Sequence, residues 1–499
     1  MTQVVEEIED ATWHRLSPRM LLIHPVIEVG RALPALIGVF LAGSSQGNHY
    51  WGLIATGGVA LYSLTRWFTT RLRITAEHVQ LRHGLLRRKT ITTARDRIRT
   101  VDVTSHLLHR LLGLSRVVIG TGMNDRKGEG RLIVDGLPVG TATSLRDGLL
   151  HRVPTAVPTL TTLTKSEPTR ELARLSLGWI RYAPFTLSGV ISGVVIWGLY
   201  WRIQGESGVN LARSGPLRTV IDTLHRMPTA EEVLVVVGAL VAFVAITSTA
   251  GYVLAFWNFR LVQHDGGTLQ VSRGLLTTRA TSIERRRLVG AALSEPLPLR
   301  AVGAARTTAV ATGLRTGRGA ERGGEVLLPP APREVALTVA TRVLDGSPAV
   351  TARLRQHGPA ARFRRLLRAT LAGLAPAAAG VVAWGAGAPL WTVPVGLALL
   401  AASVLLGVDR YRSLGHALCD GYLVTRWGSL VRRRAMLDGT AVIGWNVRAT
   451  YLQRRRGLVT LTATTAAGKQ GYHVMDVARQ EALALAEAVT PELIGQFRS

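Results

Sequence analysis

The chain has 499 residues, 47% of them hydrophobic and 18% charged, with a formal net charge of +28. Its mean hydropathy of +0.22 is high for so basic a chain, so apolar and basic residues must be segregated along it. A single cysteine, Cys419, excludes an intramolecular disulfide and a thiolate metal cluster, and the basic residues are nearly all arginine, with lysine only at Lys89, Lys127, Lys165 and Lys469.

Residues 1–10 are acidic and show no charged segment followed by an apolar core, so insertion is expected through the first hydrophobic hairpin rather than a cleaved leader. That hairpin is residues 32–65, free of Asp, Glu, Lys and Arg and split by the polar stretch 44–50; each half is short for a span, and a re-entrant hairpin is the alternative. Alternating apolar and polar residues then predict short strands through 67–153, ending in a helix near 144–152. A Thr- and Pro-rich linker, 154–168, leads to a second apolar pair, 179–201 and 233–257, interrupted only by Arg181 near the start of the first. Strand-like alternation resumes over 259–348, with a Gly/Arg-rich insert at 315–325 and a helix at 332–344. A third pair, 369–388 and 389–408, meets at a Gly-Ala-Pro turn and precedes strands and a helix at 476–489 that Asp476 is expected to N-cap.

Basic residues near the helix ends set the orientation. The short loops 44–50 and 385–390 contain no Lys or Arg, whereas Arg15, Arg19, Arg66, Arg71, Arg73, Arg170, Arg174, Arg260, Arg362, Arg364, Arg365, Arg368, Arg410 and Arg412 lie on the opposite side. That side, with both termini, is expected to be cytoplasmic; the mixed-charge loop 202–232 is placed outside.

The chain also repeats. Trp67, Trp257 and Tyr411 each end a hydrophobic pair; 17 residues later stand Gly84, Gly274 and Gly428, and 29 residues after those stand Gly113, Gly303 and Gly457. The three segments, VQLRHGLLRRKTITTARDRIRTVDV from Val79, LQVSRGLLTTRATSIERRRLVGAAL from Leu269 and LVTRWGSLVRRRAMLDGTAVIGWNV from Leu423, align without gaps. The first glycine sits where one strand turns into the next, a position that needs φ > 0.

The order of a short segment with Arg15-Leu16-Ser17-Pro18, two apolar helices, a strand, the run Arg82 to Arg88, Asp96-Arg97-Ile98 and Leu111-Leu112-Gly113-Leu114 resembles the bacterial pleckstrin-homology (PH) domain membrane proteins of the YdbS/YdbT type, and the triple layout is similar to the YdbT-like members. The resemblance implies a bent antiparallel sheet, or two sheets packed orthogonally, capped by a C-terminal helix. It implies no reaction, and it implies a smaller PH-domain membrane protein as a partner. The second copy departs from it, with Ala301-Val302-Gly303-Ala304 in place of Leu-Leu-Gly-Leu.

The fold class expected is therefore a membrane α plus α+β protein with six transmembrane helices in three hairpins, each followed by a PH-like β-domain with a C-terminal helix. The domains are 1–66 (N-terminal segment and hairpin), 67–153 (first β-domain), 154–258 (linker and hairpin), 259–348 (second β-domain), 349–410 (hairpin) and 411–499 (third β-domain).

Basic residues flank each strand turn: Arg82, Arg87 and Arg88; Arg273 and Arg279; Arg426, Arg432, Arg433 and Arg434. Near a negatively charged leaflet each would contribute on the order of 1 kcal/mol, which makes them candidate anionic-lipid contacts; a role in topology and solubility alone is the competing reading. Nucleic acid is not expected as a partner, because no helix-turn-helix, RNP or zinc-finger pattern occurs and orientation bias accounts for much of the charge. His106 and His109 share a helical face among leucines and read as structural rather than metal-binding. Gly120-x-Gly122-x-x-Asp125 opens no βαβ unit, no P-loop, HExxH or GxSxG motif is present, and no cofactor is expected. No ionisable residue sits mid-span, which disfavours ion-coupled transport. Gly189-x-x-x-Gly193 fits either close helix packing or ordinary span composition. The expectation is a non-enzymatic scaffold of the bacterial plasma (inner) membrane that binds lipids, a protein partner or copies of itself; a lipid-handling or transport protein with a hydrophobic path is the alternative.

Overall fold

The computed structural model describes residues 13–23, most of 67–120, 131–150, 169–186, 226–312 apart from 265–266, and 326–495, with isolated residues between. The first hairpin, the 154–168 linker, the Gly120–Gly122 motif beyond Gly120, the Gly189–Gly193 pair and the insert at 315–325 lie outside the described residues, as do Arg87 and Arg88. The chain divides into two compact units: Met1–Glu171 with Asn258–Arg287 and Thr312–Arg315, and Leu172–Trp257 with Leu288–Ala311 and Thr316–Ser499.

The first unit is built from two sheets. One has the order β1 (His14–Arg15), β2 (Arg71–Ile74), β3 (His78–His83) and β4 (Lys89–Ala94). The other uses β5 (Thr100–Ser105), β6 (Leu114–Gly120), β7 (Arg131–Pro138), β8 (Thr169–Arg174), β9 (Arg260–His264), β10 (Thr268–Arg273) and β11 (Thr278–Glu284), in the order β7-β6-β5-β11-β10-β9-β8. Alternation drives the packing, as β6 shows by burying Val117 and Ile119 while Arg116 and Val118 between and beside them are half-buried. Leu72, Ile74, Val79 and Leu81 of the first sheet share a core with Val101, Val103, Val117, Ile119, Leu132 and Val134 of the second. The short helix α1 (Leu107–Leu111) precedes β6, and α2 (Val139–Leu150) closes the core with Ala142 and Leu145. Each such aliphatic side chain contributes roughly 1.5–3 kcal/mol on burial.

The second unit repeats the plan and adds the apolar helices. Among the described residues its helices include α3 (Thr229–Phe256), α4 (Leu297–Ala301), α5 (Arg333–Val343), α6 (Pro359–Gly385), α7 (Thr392–Arg412), α8 (Tyr451–Arg454) and α9 (Arg479–Val489). β12 (Leu288–Pro296), β13 (Ala304–Ala311), β14 (Val326–Pro332), β15 (Gly415–Cys419), β16 (Tyr422–Trp427) and β17 (Val431–Asp438) form a sheet in the order β14-β13-β12-β17-β16-β15. β18 (Gly444–Arg448), β19 (Leu458–Thr464) and β20 (Gly471–Ala478) form another. Leu423, Ala435 and Leu437 meet Leu461, Val474 and Val477, and α9 covers them with Ala482, Leu485 and Ala486.

Two antiparallel junctions join strands far apart in sequence within these sheets. β11 pairs β5, and β17 pairs β12. Their registers are equivalent: Thr281, seven residues after Gly274, faces Asp102, eighteen after Gly84, and Ala435, seven after Gly428, faces Ala292, eighteen after Gly274.

The repeat glycines divide into two kinds. Gly84, Gly274 and Gly428 have φ of 110°, 115° and 97°, and Gly113, Gly303 and Gly457 have φ of 69°, 69° and 63°. A Cβ on Gly428 would stand 2.1 Å from the Val431 carbonyl oxygen, whereas one on Gly457 meets open space. Gly428→Ala is therefore expected to cost on the order of 3 kcal/mol and to loosen the β16–β17 hairpin, and Gly457→Asn about 1 kcal/mol or less. Denaturant midpoints of the two variants check the difference.

Among the described residues three helices are long and apolar enough to cross a membrane: α3, α6 and α7. Their surfaces are apolar and exposed, with Leu234 at 73%, Val382 at 70% and Leu405 at 69%. α6 and α7 pack through small residues: a Cβ on Gly380 would lie 2.4 Å from the Thr392 carbonyl oxygen, one on Gly407 would lie 2.5 Å from Ala369 Cβ, and Ser403 Oγ donates to the Ala369 carbonyl at 2.6 Å.

Three expectations need correction here. The helix of the third hairpin begins at Pro359, ten residues before the uncharged run, because its arginine-rich first turns are helical too. Residues 179–201 do not start as a span: Leu177–Phe185 is a 3-10 helix that buries Trp179, Tyr182 and Ala183. Asp476 does not N-cap the last helix; it is a fully buried β20 residue, and Ala478 stands at the cap.

Candidate functional site

The most heavily built polar region of the second unit is where the α6–α7 hairpin meets its β-domain. Arg364 and Arg365 occupy the basic first turns of α6, and both reach the Asp476 carboxylate on β20: Arg364 Nη1 donates to Oδ1, and Arg365 Nε donates to Oδ2 at 2.5 Å. Gln453 Nε2 on α8 donates to the same Oδ1 at 2.7 Å. Asp476 also has φ of 58°, a conformation a short polar residue adopts more readily than a bulky one. One carboxylate therefore joins a long apolar helix, a strand and a short helix with charge-assisted bonds.

The other helix end is held by the turn arginines. Arg426 Nε and Nη2 donate to the carbonyls of Ser413 and Arg412 at 3.1 and 3.0 Å, satisfying terminal acceptors of α7 and complementing its dipole. Arg432 donates to Ser413 Oγ at 3.0 Å and to Asp409 Oδ1 at 3.1 Å, while Arg300 binds Asp409 Oδ2 at 3.0 Å. Arg434 donates to the Ala349 and Ala352 carbonyls at 3.1 and 2.7 Å, and burial together with Arg426 lowers its guanidinium to about 10.

Between the two helix ends His357 Nε2 and His416 Nδ1 lie 3.0 Å apart, both buried, and Tyr411 donates its hydroxyl to the His357 carbonyl at 2.9 Å. Burial and the neighbouring His416 push His357 down to about 4; burial and Arg355 push His416 down to about 4. The unfolded chain therefore binds more protons than the folded one below the ordinary histidine value. The stability these residues contribute is complete above about pH 6.5 and is lost as pH falls toward 4, on the order of 3 kcal/mol for each. Lowering pH from 7.5 to 5 is expected to speed amide exchange in β15 and at residues 355–358, and His357→Gln should reduce that dependence. Exchange measured at both pH values, corrected for its intrinsic rate, checks it.

The remaining sequence-selected arginines are spread among different roles. Arg273 is buried at the end of β10, and Arg279 pairs with Asp102 at 2.8 Å across the β5–β11 junction. Arg82 and Arg433 are half-buried strand residues, and neither side chain has a hydrogen-bond or ion-pair partner among the described residues. The turn arginines are therefore not one surface: several serve the fold.

Sequence reasoning missed Asp135. It lies on β7, and its carboxylate accepts from buried His109 Nε2 at 3.1 Å and from Arg116 Nε at 3.0 Å. Burial alone would raise this carboxyl, but the bonds from His109 and Arg116 outweigh it and hold it well below the usual carboxylate range. His109 is thus a structural histidine with an acidic partner 26 residues away, while His106 Nδ1 sits 3.2 Å from Thr277 Oγ1. No cluster of three or more metal-ligating side chains occurs among the described residues.

The family model described as Bacterial PH domain matches residues 27–153 and 366–492, slightly more than half of the chain. The chain belongs to the bacterial PH domain family. Each matched region of this bacterial PH domain protein ends with the helix that closes a core, α2 in the first and α9 in the second. The β-domain expected at 259–348 falls outside both regions. Comparison with curated proteins and with solved structures returned no match.

Proposed function

We propose that this bacterial PH domain protein is a non-catalytic, membrane-anchored scaffold of the bacterial inner membrane. Its YdbT-like arrangement comprises six spans in three hairpins and three PH-like β-domains, with the domains and both termini in the cytoplasm. The observation that carries the reading is the strand order: β5 with β11 and β12 with β17 join successive repeats into continuous sheets, so the β-domains form connected platforms rather than separate ligand cups. The β4, β11 and β17 turns share their glycine spacing, which supports a third repeat at 259–348 despite its divergent sequence. Basic residues at the bases of α6 and α7, among them Arg364, Arg365, Arg410 and Arg412, support a cytoplasmic placement.

Such a scaffold would bind anionic lipid, a smaller PH-domain membrane protein or another copy of itself. Among the sequence-selected arginines, Arg82 and Arg433 are the described ones whose side chains the fold does not take up, which leaves them as candidate lipid contacts. Arg273, Arg279, Arg426, Arg432 and Arg434 are taken up by the fold.

The filled cores favour the scaffold over a lipid carrier. Val79, Val101, Val117, Leu132 and Val134 in one core, and Leu423, Leu437, Leu461, Val474 and Val477 in the other, are fully buried by their own neighbours. A transfer assay separates the readings. With the full chain reconstituted in donor vesicles, fluorescent phosphatidylglycerol should move to acceptor vesicles at the protein-free rate. Transfer several-fold faster would replace the scaffold with the lipid-handling reading.

A further inference from the structure

The two internal junctions leave one edge of each kind unused. β11 and β17 each receive a β5-type strand, whereas β4, their counterpart seven residues beyond Gly84, is the last strand of its sheet. β5 and β12 each pair with a β4-type strand, whereas β18, their counterpart eighteen residues beyond Gly428, is also the last of its sheet. Among the described residues no strand pairs with the outer side of either.

Burial follows the same pattern. Val103 is 8% exposed and Leu293 3% where the junctions cover them, and Val447 at the same position of β18 is 47% exposed. On the other strand type, Thr281 and Ser282 of β11 are buried by the junction, while Ile91 and Thr92 of β4 are half-buried and exposed. An open edge with an exposed apolar residue is a template for strand addition.

We propose that β18 of one copy of this chain adds to β4 of a second copy, continuing between molecules the junction already made twice within one. The edge that β4 lacks is the edge β18 offers, in one sequence, and the internal junctions supply the register. Transferred without adjustment, it sets Ile91 opposite Asn446, Thr92 opposite Trp445 and Thr90 opposite Val447. The contact is heterologous, so assemblies grow head to tail. Confinement of both copies to one membrane raises their effective concentration enough for a short strand pair to matter.

The proposal rests on the scaffold reading and names its partner, yet lipid transfer and strand addition fail independently. Its test uses the full chain with Cys419→Ser, co-expressed as two differently tagged forms, one carrying Ile91→Cys and the other Asn446→Cys. Residues directly opposite in an antiparallel pair have Cα atoms about 4.5–5.5 Å apart, within reach of a disulfide. Mild oxidation of the membranes is expected to give the mixed-tag dimer, at least fivefold above the pairing of Ile91→Cys with Val447→Cys, whose side chains leave on opposite faces. A doubly substituted chain should give a ladder of oligomers. No mixed dimer, although each cysteine reacts with maleimide, would overturn the proposal. So would same-tag dimers at equal yield, an internal crosslink within one chain, or capture of a smaller membrane protein by Ile91→Cys in place of the second copy.

Discussion

Asp476→Ala is expected to free the third β-domain from the α6–α7 hairpin, at a cost of about 3–5 kcal/mol. The carboxylate is fully buried and is the shared acceptor for Arg364, Arg365 and Gln453. Removing it leaves two guanidiniums, 8% and 10% exposed, with their charges uncompensated. That penalty, rather than the attraction lost, sets the size of the effect. It follows that Arg365→Met should partly rescue Asp476→Ala, since one stranded charge goes with it. The Arg355–Glu481 pair is the contrast: Glu481 is 19% exposed but Arg355 is 74% exposed, so Glu481→Ala strands no buried cation and should cost less than about 1 kcal/mol. Limited proteolysis between α7 and β15, with urea midpoints in detergent, measures both.

Ala435→Pro should be nearly as damaging. Ala435 is a central residue of β17, paired with Thr425 on one side and Ala292 on the other, and 1% exposed. Proline removes an N–H, and its ring disturbs the neighbouring strand, at a cost of about 3 kcal/mol or more. The expected signature is rapid amide exchange in β12, β16 and β17 together. Asn446→Pro, on β18 with a single neighbouring strand, should cost less and confine the change to β18 and β19.

What the sequence revealed follows from local physics. The turn glycines are legible because their φ values of 97–115° favour glycine, and their equal spacing can be read directly from the chain. Strand faces are legible from alternation, as in β6 and β19. The long apolar runs of α3, α6 and α7 are legible from composition. Strand neighbours are not: alternation says which side of β5 is buried but not that β11 lies beside it, 173 residues away from Ser105 at Thr278. Asp476 misled for a related reason. An aspartate before a helical pattern resembles an N-cap, and only the fold brings Arg364 and Arg365 to it from more than a hundred residues upstream. Asp135 was invisible for the same cause. At 179–185 the apolar composition was read as the start of a span, but Trp179 and Tyr182 are buried there in a 3-10 helix. The turn arginines looked like one lipid-facing set because sequence shows charge and not partners.

The central claim is that membrane helices carry the β-domains on the cytoplasmic face, and single-cysteine labelling in intact cells tests it most directly. With Cys419→Ser as background, cysteines at Leu390, in the α6–α7 turn, and at Ala230, at the start of α3, should react with a membrane-impermeant maleimide. Cysteines at Leu111 and Asp420, exposed on the β-domains, should react only after permeabilisation. Labelling of Leu111→Cys or Asp420→Cys from outside, or protection of Leu390→Cys, would contradict the account.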